Sequence, residues 1–227
     1  MNRVNQVVKM HLRNKFTWFL IPWAILGVNF LVNAVIATSL NDGEVINTGA
    51  LASIFVYTLI TGTLTLKETF PFAIGLSIRR KDYFFGTALA VLLVNVISGT
   101  AITILSVIEQ ATDGWNVNLH LFEIKFLGDL PFIGILGINI ILLITLYFIG
   151  FTISSLHRRF GAVSMYIFFP AVLLLGTITS YTMTHFGLWV EVAHWIANNY
   201  MDLFWWMIPM VGVCMVISYG LLRRAAV

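Results

Sequence analysis

Residues 70–87 read FPFAIGLSIRRKDYFFGT. Apolar runs flank this stretch, roughly 48–66 before it and 84–107 after it. A spanning helix needs about 20 mostly apolar residues. Arg79, Arg80 and Lys81 stand in a row, and each charge placed at the bilayer centre costs about 3 kcal/mol. The stretch therefore divides residues 48–107 into two spans and lies at a membrane surface itself.

The whole chain supports that division. Its 227 residues are 59% hydrophobic and 10% charged, with a mean hydropathy of +0.91. A soluble domain carries roughly 25% charged residues, so this composition cannot cover a water-facing surface. Six apolar runs are long enough to span: 17–39, 48–66, 84–107, 131–155, 162–184 and 204–222. The basic N-terminus precedes a run too long for a signal-peptide core and lacks a small-residue cleavage site, so a retained first span is expected. The single cysteine, Cys214, lies inside an apolar run and can form no intrachain disulfide.

Charge then sorts the connections. Arg3, Lys9, Arg13 and Lys15 precede the first span. Lys67, Arg79, Arg80 and Lys81 lie in the second connection, Arg158 and Arg159 in the fourth, and Arg223 and Arg224 follow the sixth span. Only Lys125 falls in the first, third or fifth connection. Asp42, Glu44, Glu109, Asp113, Glu123, Asp129, Glu191 and Asp202 go the other way. The positive-inside rule places the basic side in the cytoplasm. The expectation is six spans in one transmembrane domain, residues 1–227, with both termini cytoplasmic. The net charge of +3 is thereby assigned to topology and lipid headgroups, not to a nucleic-acid partner.

Three segments are not simple spans. In residues 1–16, Val4, Val8, Leu12 and Phe16 recur at four-residue spacing, away from Arg3, Gln6, Lys9 and Arg13. That is an amphipathic helix suited to lying along cytoplasmic headgroups. Residues 108–130 carry turn signals and are expected to form an external loop with no identifiable chemistry. Residues 185–203 are aromatic and apolar but too short to cross and return, so short re-entrant helices in the outer leaflet are expected, with Trp189, Trp195, Trp205 and Trp206 near the interface. His185, Glu191 and His194 match no zinc-binding spacing, and no metal site is assigned.

Catalytic motifs are absent. There is no phosphate-binding loop, no H-E-x-x-H and no G-x-S-x-G, so the chain is not expected to be an enzyme. No acid or base sits well inside a span, which disfavours proton coupling. Asn29 and Asn33 share one helix face in the first span. They are read either as helix–helix hydrogen-bonding groups or as a polar patch on a substrate path.

The opening stretch carries the functional reading. Pro71 suits the first turn of a short helix over residues 70–78. Phe72 and Leu76 would form one side of it, and Ile74 and Ile78 another. Asp82 is placed to N-cap the third span. A small apolar helix just below the membrane needs lipid or a grooved protein to cover it.

Residues 75–87, GLSIRRKDYFFGT, resemble the segment after the second span in type-2 ABC exporter permeases, where a short coupling helix precedes a Ser/basic/acid/aromatic/Gly run. The layout is similar too: an N-terminal in-plane helix, six spans, and a helical element before the sixth. Small Gram-positive permeases, including those exporting amphipathic peptides, are the nearest kind. The resemblance implies a bacterial cytoplasmic-membrane subunit that pairs with a second copy or paralogue and sits on a separate ATP-binding cassette subunit. It implies that ATP and Mg bind that partner and no cofactor binds this chain. It implies that Phe70, Pro71, Phe72, Ile74, Leu76, Ser77, Arg79 and Arg80 form the coupling contact. A rival expectation is a non-transporting immunity or sensor protein that binds a peptide or partner helix.

Overall fold

A computed structural model describes residues 3–39, 46–123 and 130–224. Asp42, Glu44, Lys125 and Asp129, which contribute to the charge pattern, lie outside the described residues. The chain is a helical, multi-pass membrane protein. Its helices are α1 (Arg3–Arg13), α2 (Ile21–Ser39, continuing a π-helical turn Phe16–Leu20), α3 (Ala52–Gly75), α4 (Arg80–Ala111), α5 (Phe132–Phe160), α6 (Ala162–His185), α7 (Trp189–Asn198) and α8 (Tyr200–Arg223). Two short strands, β1 (Ile46–Asn47) and β2 (Leu119–His120), pair in parallel.

By length and apolarity, five segments among the described residues can cross a membrane: Phe16–Ser39, Arg80–Ala111, Phe132–Phe160, Ala162–His185 and Tyr200–Arg223. Helix α3 is not one of them. It is long enough, about 36 Å at 1.5 Å per residue, but carries many threonines together with Lys67 and Glu68. It is nevertheless central, packing chiefly against α5, which also contacts α4 and α8. Thr58, Thr61, Thr65 and Thr69 each donate to the carbonyl four residues back. Their hydroxyls are thus satisfied within the helix, so their methyls can pack.

Glycines set the closest approach. A Cβ at Gly62 would collide with the Tyr147 carbonyl oxygen, and one at Gly150 with the Leu59 carbonyl oxygen. Small residues that let helix backbones meet are the common device of membrane bundles. Gly99 does the same between α4 and α5, where an added Cβ would lie 2.7 Å from Ile140 Cγ1. Polar side chains also link the helices. Asn139 Nδ2 donates to Thr103 Oγ1 at 3.1 Å, and the Thr152 and Ser218 hydroxyls lie 2.8 Å apart.

The ends of the bundle differ in kind. At one end Thr48 N–H donates to the His120 carbonyl (3.0 Å), extending the β1–β2 pairing. The first and third connections therefore share a face. At the other end Arg80 Nη1 donates to the Arg223 carbonyl (2.8 Å), and the Arg158 guanidinium lies 5.3 Å from the Phe70 ring centroid. There the second and fourth connections and the end of α8 come together, so the basic segments share one end.

Several expectations need correction. The stretch 70–78 is no separate short helix, because α3 runs on to Gly75 with Pro71 inside it. Leu66, Phe70 and Ala73 form one continuous buried stripe that carries the helix past the proline. Pro71 itself is exposed, so its ring faces away from the packed side. Asp82 does not cap α4. Arg79 holds the cap position with extended backbone, and Asp82 lies in the first turn, where its charge still favours the helix N-terminus.

The first amphipathic helix ends at Arg13 rather than residue 16, and it is rotated from the expected face. Val7, Val8 and His11 are buried, whereas Leu12 and Phe16 are 36% and 68% exposed. The cause is docking onto α4 at Gly86, where an added Cβ would lie 2.9 Å from the Val4 carbonyl oxygen. Residues 185–203 hold one helix, α7, entered by a turn at Gly187 with φ +67°. Helix α8 begins at Tyr200, earlier than the expected 204.

Candidate docking surface

The end of α3 is closed by backbone geometry rather than by a side chain. Ser77 is left-handed (φ +58°). Its N–H donates to the Ile74 carbonyl (2.8 Å), and the Ile78 N–H reaches the Ala73 carbonyl (3.1 Å). This is the Schellman pattern, which usually places glycine at the left-handed position. Both Ile78 and Ala73 are buried, giving the apolar contact that accompanies it.

The closure divides the expected coupling residues into two groups. Phe70, Ile74 and Arg80 face inward. Phe70 is fully buried and makes an edge contact with Tyr83 at 5.2 Å between ring centroids. Ile74 is half-buried against the core. Arg80 is spent on the carbonyls at the end of α8, whose negative dipole end favours a cation. These three hold the segment in place and are not its contact surface. Pro71, Phe72, Leu76, Ser77 and Arg79 face outward.

Phe72 and Leu76, 58% and 59% exposed, form one wall of a groove of about 610 Å³. The opposite wall is the polar side of α1: Gln6, Lys9, Met10, Arg13 and Asn14. Sequence reasoning assigned that side to lipid headgroups and missed its juxtaposition with α3. Two apolar side chains one turn apart thus face two cations, and among the described residues no carboxylate lines the groove.

His11 fixes the α1 wall. Its Nε2 lies 2.9 Å from the Thr87 hydroxyl, and its ring lies against Trp18 and Tyr83. Burial pushes its pKa down to about 4, so the ring is neutral at physiological pH. Nothing in the sequence singled it out beyond its place one turn after Val7 and Val8.

The two asparagines proposed for a substrate path lie elsewhere, on α2. Asn29 Nδ2 donates to the Ile25 carbonyl and Asn33 Nδ2 to the Asn29 carbonyl. Both amides thus fold back on their own helix.

Glu109, expected to lie in a featureless external loop, is fully buried at the end of α4. Its carboxylate accepts the N–H groups of Leu121 (3.0 Å), Phe122 (3.0 Å) and Glu123 (2.9 Å) and the indole N–H of Trp115 (2.9 Å). Oxygen and nitrogen atoms of Glu109, His120 and Glu123 cluster within 4.8 Å, which suggests a cation site. The donor set argues otherwise. Both Glu109 oxygens already accept several N–H donors, and a metal would have to displace them. The cluster reads as an anion cradle that ties the loop to α4.

Comparison with protein families, curated proteins and solved structures returned no match.

Proposed function

We propose that this chain is the membrane-spanning subunit of an ATP-driven exporter of the type-2 ABC kind, with α3 as the second of six spans. In this reading the basic end of the bundle faces the cytoplasm of a bacterium, and an ATP-binding subunit docks at the outer side of residues 71–79. The observation that carries it is the exposed Phe72–Leu76 pair, set across a groove from Lys9 and Arg13. Covering two such side chains is worth roughly 3 kcal/mol, and the cations favour a partner surface with acidic groups. Hydrolysis of ATP, with Mg, belongs to that partner.

Helix α6 supports pairing with a second copy or paralogue. It is apolar along its length and shows no buried residue. An apolar or amphipathic cargo, peptide among them, would pass between the two subunits.

The test is co-purification with the ATPase encoded beside this gene. Wild-type complex should be recovered, and Phe72→Asp with Leu76→Asp should abolish it while leaving the chain folded in the membrane. Retention of complex and of stimulated ATP hydrolysis in that double variant would remove the docking assignment. Absence of any neighbouring ATPase gene would favour an immunity or sensor protein.

A further inference from the structure

A second cavity opens on the side of the bundle, between α3, the end of α5 and the start of α6. It holds about 700 Å³, and Leu64, Lys67, Ile153, Arg158, Met165 and Phe169 are among the residues that line it. Polarity is graded along it. Going down α3, Thr63 and Leu64 precede Lys67; going down α5, Ile153 and Ser154 precede His157 and Arg158. Both helices run toward the basic end of the bundle, so the cations sit at the headgroup end and the aliphatic lining lies deeper.

The cations are not neutralised by any of the described residues. Among the described residues both ion pairs involve His120, and neither Lys67 nor Arg158 has a carboxylate partner. Among the described residues no acid lines the cavity, and Glu68, next to Lys67, is not part of it. Arg158 is held from behind by the Phe70 ring, and its Nε is buried without a hydrogen-bond acceptor. An arginine stacked in this way presents a fixed fork suited to a phosphodiester.

We infer that this cavity binds one anionic phospholipid of the surrounding membrane. Its phosphodiester sits at Lys67 and Arg158, and an acyl chain lies along Leu64, Ile153, Met165 and Phe169. The charge complementarity selects the headgroup. The open apolar side, where α6 leaves the bundle with none of its residues buried, admits the chain. Basic pockets between membrane helices at the cytoplasmic level are recognised lipid sites. The inference does not depend on the exporter reading.

The test uses the full-length protein in nanodiscs of phosphatidylcholine containing a minor fraction of phosphatidylglycerol with matched chains. Native mass spectrometry of the released protein counts retained lipid. Wild type should retain phosphatidylglycerol in preference to phosphatidylcholine. Lys67→Gln should lower that preference about fivefold, as expected for one interfacial charge, and Arg158→Gln at least as much. Lys81→Gln, also basic but outside the cavity, should leave it unchanged. Lys67 is exposed, so its variant keeps the test valid if Arg158→Gln misfolds. Equal retention of the two lipids, or preference unchanged in Lys67→Gln, overturns the inference. Inorganic phosphate that stays bound in native mass spectra when phosphatidylglycerol is present overturns it as well, by showing a site for free anions.

Discussion

Gly62 of α3 and Gly150 of α5 are reciprocal contacts at one helix crossing. Gly62 lies on the Tyr147–Phe151 backbone, and Gly150 on the Leu59–Thr63 backbone. Neither site has room for a single carbon, because the opposing atoms are main-chain atoms that cannot rotate away. Gly62→Ala and Gly150→Ala should each lower unfolding stability in detergent by about 1–3 kcal/mol, the usual range for overpacking. Gly176→Ala, on α6 with nothing within 4 Å, should leave it unchanged or slightly raised. Equal effects at all three positions would remove the crossing as the cause.

Ser77 predicts the opposite sign. Its left-handed backbone strains any residue bearing a Cβ by about 1 kcal/mol. Ser77→Gly should therefore raise the midpoint of thermal unfolding, and Ser77→Val should lower it. The paired measurement separates backbone strain from loss of the hydroxyl, because both variants lack it.

His11 makes docking of α1 acid-sensitive. Its folded-state pKa, about 4, lies below the ordinary 6.5. The neutral ring is the form that the folded chain accepts. Its contribution is complete above pH 6.5 and is lost as pH falls from there through 4. The full loss is about 3 kcal/mol. Stability measured from pH 7.5 to 4 should decline in the wild type and decline less in His11→Gln, whose amide can still reach Thr87. Parallel curves for the two proteins would refute the assignment.

Glu109→Gln should loosen the loop after α4. An amide nitrogen would face N–H donors where a carboxylate oxygen now accepts them, at a cost of about 3 kcal/mol. Hydrogen exchange at Leu121, Phe122 and Glu123 should quicken, and Trp115 should become more accessible to quenchers. Unchanged protection at those three amides would show that the strand pairing, not the carboxylate, holds the loop.

Much of the layout could be read from the chain. Charge alternation depends only on composition along the sequence. It grouped the first connection with the third, which meet through Thr48 and His120, and the second with the end of α8, which meet through Arg80 and Arg223. Five of the six apolar runs likewise coincide with helices long and apolar enough to cross a membrane, whereas the run 48–66 lies in α3, which is too polar to count among them. The same local logic failed where a neighbour decided the outcome. Pro71 looked like a helix start because proline suits a first turn, but the buried stripe through Leu66, Phe70 and Ala73 carries α3 past it. The face of α1 looked set by Val4, Val8, Leu12 and Phe16, but the gap at Gly86 and the hydroxyl of Thr87 turned Val7 and His11 inward instead.

The sequence by itself determined that this is a helical membrane protein, and it located five of the segments apolar enough to cross. These follow from transfer free energies, which each segment carries with it. Only the tertiary structure decided which residues of the 70–80 stretch face outward, that Glu109 is a buried anchor, and that Lys67 and Arg158 line one cavity. Those outcomes depend on which backbones approach closely, and glycines distant in sequence set that distance when the helices pack.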